Sequence, residues 1–170
     1  MVRQMSLLDQ QARPFNTPIE SGLRILFALD EAKGEAFDLQ RLVSYDYLLV
    51  HSGDVEGGPA SLHPAVPFRG GELLVKRELV LAGLDAMFAK ELLEKKFEPT
   101  GIGYRATALT GAFLKLLVSA YASSLRARAT WVVSHFATYT DEMLESYMTE
   151  NVGRWGAEFD RLTAIKELEL

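Results

Sequence analysis

The stretch Glu72-Leu73-Leu74-Val75-Lys76-Arg77, running through Leu81, Leu84 and Met87-Phe88, changes its apolar period midway to Leu92-Leu93-Glu94-Lys95-Lys96-Phe97-Glu98, Pro99-Thr100-Gly101-Ile102-Gly103 and Tyr104-Arg105-Ala106-Thr107. Up to Phe88 the spacing is helical, with Leu73, Leu74, Arg77, Leu81, Leu84 and Phe88 as one face. From Leu93 to Ala106 the side chains alternate around a turn containing Gly101, as in a two-stranded hairpin. Leu109-Thr110 then opens another helix. Helix, two short strands, helix is the order of a winged helix. The first helix stands in the recognition position and Leu93 to Thr107 forms the wing. Such modules contact DNA or another protein.

Upstream, Asn16-Thr17-Pro18-Ile19-Glu20 is a helix start: Thr17 suits the N-cap, Pro18 the first turn, and Glu20 is the reciprocal acid three residues on. Leu23, Ile25, Leu26 and Leu29 continue that helix to an end near Gly34. Asp38 caps a second helix with Leu39, Leu42, Val43, Tyr47 and Val50 on one face, stopping at Ser52-Gly53. The glycine- and proline-rich segment to Gly71 reads as a long ordered loop anchored by Leu62, Val66 and Phe68. Downstream, Thr110 opens a long helix carrying Phe113, Leu116, Leu117, Tyr121, Leu125, Trp131 and Phe136. A last helix restarts at Thr140-Asp141-Glu142 with Leu144, Tyr147, Met148, Val152, Trp155, Phe159 and Leu162 as its buried stripe.

The expected fold is α+β and mostly helical. Residues 1–14 form an N-terminal arm, 15–109 a winged-helix-like domain with an inserted loop 53–71, and 110–170 a C-terminal helical hairpin.

The chain has 170 residues, no cysteine and a net charge of −5. Disulfides, thiolate nucleophiles and cysteine-based zinc sites are excluded. No apolar run reaches the roughly 20 residues of a spanning helix. The N-terminus lacks a signal-peptide core, so the expected location is the cytoplasm and no membrane partner is expected. The charge is localised: residues 141–170 hold eight acids and three bases, and the rest of the chain is balanced. This is a neutral body with an acidic last segment.

His51, Asp54 and His63 are the residues that could be read as metal ligands or catalysts, but their spacing matches no ligand pattern. They read better as helix-end and loop residues, His51 capping the second helix and Asp54 bonding loop amides. Asp46 with Asp54 makes no carboxylate pair that the sequence places together. The loop glycines lack the Lys-Ser/Thr of a phosphate loop. His135 reads as a core histidine. No catalytic residue, cofactor or metal is expected, and the chain is not expected to be an enzyme. Between Arg69 and Arg105 seven bases face six acids, whereas a DNA-reading surface carries a clear basic excess. Protein contact therefore ranks ahead of DNA contact. The DNA-contact candidates are Lys76, Arg77, Lys95, Lys96 and Arg105; the partner-interface candidates are Tyr147, Arg154, Trp155 and Phe159.

Several strings are similar to those of one family: Phe15-Asn16-Thr17-Pro18-Ile19-Glu20-Ser21-Gly22-Leu23-Arg24, Asp38-Leu39-Gln40-Arg41-Leu42-Val43, Tyr45-Asp46-Tyr47-Leu48-Leu49-Val50-His51-Ser52-Gly53-Asp54, Ser61-Leu62-His63-Pro64, Arg69-Gly70-Gly71-Glu72-Leu73-Leu74-Val75 and Asn151-Val152-Gly153-Arg154-Trp155-Gly156-Ala157-Glu158-Phe159. The chain resembles the middle component of bacterial ABC three-component, Lamassu-like anti-phage defence systems. That resemblance implies a small non-enzymatic subunit. It would bridge a large SMC-like or Rad50-like ABC ATPase, an effector that is commonly a nuclease and, through the complex, double-stranded DNA. The competing expectation, from a different class, is a MarR-like winged-helix transcription regulator.

Overall fold

The computed structural model describes residues 17–65 and 69–168, with the side chains of 69–72, 74 and 156–168 outside that description. The expected N-terminal arm lies outside the described residues. In chain order the elements are α1 (Pro18–Glu31), β1 (Phe37–Asp38), α2 (Leu39–Val50), a 3-10 turn (Ser52–Asp54), α3 (Arg69–Ala89), β2 (Leu93–Glu98), β3 (Gly101–Ala106), α4 (Ala108–Leu114), α5 (Ala120–His135) and α6 (Asp141–Leu168). The fold is mostly helical α+β.

Local chemistry sets the ends. Thr17 and Glu20 form the reciprocal capping box, Glu20 N donating to Thr17 Oγ1 at 3.3 Å and Thr17 N to Glu20 Oε2 at 3.2 Å. Asp38 caps α2 by accepting from Arg41 N at 2.7 Å. Gly101, at φ 137°, closes the hairpin after Pro99-Thr100, a backbone conformation that favours glycine. The sheet is antiparallel in the order β1-β3-β2, with Phe37 opposite Tyr104, Lys95 opposite Tyr104 and Phe97 opposite Ile102.

α1 and α3 cross in backbone contact. A Cβ on Gly83 would lie 2.5 Å from Pro18 O and 2.7 Å from Gly22 N. Helices normally stand 8–10 Å apart; two glycines facing each other allow a closer approach. α5 packs on α1 and α2, and α6 on α2 and α3. The last two helices meet through Phe136, Tyr139 and Tyr147 near their connection. One core cluster runs through all of this, including Leu26, Leu29, Tyr45, Leu48, Leu84, Leu125, Phe136 and Trp155.

Three features depart from the periodicity. The expected long helix from Thr110 is two helices, α4 and α5. Ser119 caps α5 by accepting from Ala122 N at 3.1 Å, which sets the break at residues 115–119. Apolar Leu116, Leu117 and Val118 mimic helical spacing through that break, yet Leu116 is 74 % and Val118 85 % exposed. Thr107, not Thr110, caps α4; Thr110 is buried, donating to Leu92 O at 2.7 Å. α3 begins at Arg69, so Gly70 and Gly71 lie inside a helix despite their low propensity for it.

The phase of α3 also differs. Its buried face is Lys76, Val80, Leu84 and Met87, whereas Leu81 and Phe88 are exposed. The lysine was the misleading residue, because a periodicity count treats it as surface.

Candidate functional site

The interior of the three-helix body carries charge. Arg24 of α1, Asp46 of α2 and Lys76 of α3 are all buried. Asp46 receives Arg24 Nε at 2.7 Å, Arg24 Nη2 at 3.1 Å and Lys76 Nζ at 3.1 Å. Burial alone would push the Asp46 carboxyl up, but the Lys76 and Arg24 charges and their hydrogen bonds hold it below its ordinary value. Burial likewise opposes the Arg24 charge, and Asp46 outweighs it, leaving the guanidinium above its ordinary value.

From Arg24 the network continues to the Tyr121 hydroxyl on α5 and from there to His63 Nε2 at 2.7 Å. Burial, then the neighbouring Arg24, Lys76 and His51, lowers the His63 pKa to about 4, with Asp46 opposing. A second layer lies beside the first. The His51 ring packs on Tyr47 at 4.7 Å between centroids and meets His63 edge-on at 6.3 Å. Tyr47 donates its hydroxyl hydrogen to Asp54 Oδ2 at 2.5 Å. Asp54 thus holds a tyrosine of α2. His51 does end α2, its N–H reaching Tyr47 O at 2.9 Å. Among the described residues no group of three His, Cys, Asp or Glu is placed to hold a metal ion.

The loop after α2 is pinned to the same region. Leu62 N and His63 N both donate to Val50 O, at 2.9 and 3.0 Å. Arg128 of α5 reaches Ala60 O through Nε at 3.0 Å and Nη2 at 2.8 Å. Leu62 packs on the core, while Val66 and Phe68 lie outside the described residues.

Sequence reasoning missed this network, although signals were present. Arg24 sits inside Leu23-Arg24-Ile25-Leu26, and Asp46 inside Tyr45-Asp46-Tyr47-Leu48; single opposite charges in two apolar helices point to a buried pair. Arg41 was also passed over. Its guanidinium donates to Tyr45 Oη at 2.8 Å, Tyr139 O and Asp141, and lies over the Phe37 ring, tying α2 to the start of α6.

The five candidate DNA contacts separate. Lys76 is 1 % exposed and belongs to the interior cluster, so as placed it meets no phosphate. Arg77 is exposed and reaches Gln40 Oε1 at 3.3 Å. Lys95 lies 3.8 Å from Asp85 and over the Phe88 ring; Lys96 pairs with Glu98 at 3.0 Å; Arg105 pairs with Glu94. Each hairpin cation therefore has a carboxylate beside it. The same hairpin face that buries Leu93 and Tyr104 continues outward as Lys95, Phe97 and Ile102. Phe97 is 77 % exposed, and Ile102 and Phe88 are exposed as well.

The candidate interface residues of α6 separate too. Trp155 is buried and stacks parallel on Tyr47 at 5.8 Å. Tyr147 is half-buried, and burial raises its pKa. Arg154 is exposed and bonded to Asn151 Oδ1 at 2.6 Å. The Phe159 side chain lies outside the described residues. Gly153 faces open space, so no backbone of this chain approaches it among the described residues.

The arrangement is that of a helical body whose buried charged groups tie its own helices together and whose hairpin exposes Phe97 and Ile102. Residues 14–158 match the family described as ABC-three component (ABC-3C) system Middle Component 2. The chain belongs to this family, the middle component of a multi-component ABC system, and is thus an accessory subunit with partner proteins. No curated protein and no solved structure matches it. No described helix is long and apolar enough to cross a membrane.

Proposed function

We propose that this chain is a non-catalytic bridging subunit that joins the ABC ATPase of its system to the effector through protein contacts made by α3 and the β2–β3 hairpin. In this reading the system is a Lamassu-like anti-phage defence, its ATPase SMC-like or Rad50-like, and its effector commonly a nuclease. The observation that carries the reading is the outer face of the hairpin: Phe97 and Ile102 exposed side by side, with Phe88 nearby and every hairpin cation beside an acid. Exposed aromatic and aliphatic groups gain by burial against protein. A phosphate-binding face instead needs cations free to displace counterions. α3 with its hairpin then acts as a winged helix turned to protein recognition, and any DNA contact through Arg77, Lys95, Lys96 and Arg105 is secondary. The absence of turnover in this reading is supported by His51, Asp54, His63 and Asp46 each being engaged in interior contacts.

The test is purification of the tagged chain expressed with its neighbouring ATPase and effector genes, beside turnover assays on the chain alone. Co-elution with the ATPase, and no ATP hydrolysis or DNA cleavage by the isolated chain with divalent metal, is the expected result. A chain that elutes without either partner, or that cleaves DNA alone, overturns the reading.

A further inference from the structure

The sheet ends on an open edge. Its order β1-β3-β2 puts β3 in the middle, and among the described residues β2 pairs with β3 alone. The other edge strand, β1, is 2 residues long, whereas β2 has 6. The register of β2 against β3 runs without a bulge from Leu93–Ala106 to Glu98–Gly101, and the strand contains no proline. Alternation decides which backbone groups are left over. Glu98 and Gly101 flank the turn Pro99-Thr100, which makes them a hydrogen-bonded pair. Lys96–Gly103 and Glu94–Arg105 follow as the next such pairs. The N–H and C=O groups of Lys95 and Phe97 then point away from β3, out of the sheet. Lys96, Phe97 and Glu98 are all exposed. Such a row of backbone groups is a template for one more strand.

We infer that an extended segment of the ABC ATPase adds to this edge as a fourth strand, pairing its backbone with Lys95 and Phe97. The inference rests on the bridging reading and specifies how the hairpin makes its contact. Donors and acceptors open on alternate residues of a strand are matched by another extended backbone, whereas a helix uses its own. A second copy of this chain fits the edge poorly. Antiparallel pairing of β2 with itself, faces matched, sets one residue against its own copy. Centred on 94, 95 or 96, it opposes Glu94, Lys95 or Lys96 to itself, and like charges directly opposite are destabilising. Centred on Phe97, it overlaps only 96–98 before Pro99 interrupts. The lysines that oppose self-pairing leave the edge to a segment of different sequence. That segment carries an apolar residue beside Phe97, where it extends the exposed Phe97–Ile102 pair, and no base opposite Lys95 or Lys96.

A proline at an outward N–H removes an edge donor and leaves the ladder to β3 in place. Lys95→Pro is therefore compared with Lys95→Ala, which loses the same side chain and keeps the N–H, in the full chain co-expressed with its ATPase. Lys95→Pro should retain less ATPase than Lys95→Ala by about tenfold or more. Amide exchange of the parent is an independent readout. In the isolated chain the Lys95 and Phe97 amides should exchange about tenfold or more faster than those of Glu94 and Lys96. In the complex the Lys95 and Phe97 amides should slow by a similar factor. If Lys95→Pro melts below Lys95→Ala, the amide exchange decides alone. A folded Lys95→Pro that retains as much ATPase as Lys95→Ala overturns the inference, and so do Lys95 and Phe97 amides that exchange equally in both states. If Phe88→Asp with Phe97→Asp releases the ATPase while those amides stay fast in the parent complex, the hairpin binds through its side chains; the bridging reading then stands and strand addition is wrong. If neither hairpin variant releases the ATPase, bridging by the hairpin fails and this inference with it.

Discussion

At Asp46 one carboxylate receives two cations from two different helices, with no solvent to share the work. Removing its charge leaves Arg24 and Lys76 facing each other in the interior. Breaking a buried pair from one side typically costs about 3–5 kcal/mol. Asp46→Asn is therefore expected to lower the unfolding free energy measured by urea titration by that order, whereas Lys76→Met keeps the Arg24–Asp46 pair and should lose less. Equal losses would mean that Lys76 supports the fold through contacts other than Asp46. His63 gives a second readout. Its native pKa of about 4 lies below the ordinary 6.5, so the unfolded chain binds the extra proton first as pH falls. Stability should therefore drop between pH 6.5 and pH 4, a window above that of Asp46, whose own pKa is depressed. His63→Gln should flatten the melting temperature across that window, and an unchanged slope would show that His63 is not the group titrating. These residues were the least legible in the sequence. Helix caps such as Thr17, Asp38 and His51 are local and could be read directly, but a lysine on a buried face announces itself only once its acid is known to lie across from it.

At the scale of elements, the two glycine classes of this chain should respond oppositely. Gly83 meets Pro18 O and Gly22 N where α1 crosses α3. Gly83→Ala forces those helices apart and is expected to destabilise by about 1–3 kcal/mol. Gly153 meets nothing among the described residues, so Gly153→Ala should stabilise the isolated chain by about 0.5–1 kcal/mol through helix propensity. A gain at Gly83 or a loss at Gly153, measured by the same denaturant titration, would contradict the packing described. Trp155 tests the docking of α6. Its indole stacks on Tyr47 inside the core, and Trp155→Ala should cost about 3–5 kcal/mol; a variant with the parental midpoint would place α6 outside the folded body. The hairpin and the first two helices were legible because alternation, caps and Gly101 are written in adjacent residues. The break at 115–119 was not, because Leu116, Leu117 and Val118 keep helical spacing while serving the surface. Nor was the split of the candidate cations: Lys76 turns inward on α3 and Lys95 meets Asp85 only through how the hairpin lies against that helix, whereas Arg105–Glu94 and Lys96–Glu98 lie within the hairpin.

For the whole molecule, the sequence showed a balanced body with an acidic end, and the fold adds where the balance is struck. The cations of the hairpin are neutralised locally, those of the core are buried, and the first acid of α6 is bonded to Arg41. Large apolar side chains are also left outside: Phe88, Phe97 and Ile102 at one site, Leu116 and Val118 at another. Such a surface suits assembly better than a polyanion. The most direct measurement compares two hairpin variants in the co-expressed system, each first shown to melt like the parent. Phe88→Asp with Phe97→Asp removes the apolar contact; Lys95→Glu with Lys96→Glu reverses the charge and leaves both aromatics. The account requires the first variant to lose co-elution with the ATPase by tenfold or more and the second to retain it. If instead the aromatic variant co-elutes normally, while the charge variant abolishes DNA binding by the isolated chain, the hairpin is a DNA contact and the bridging assignment is wrong.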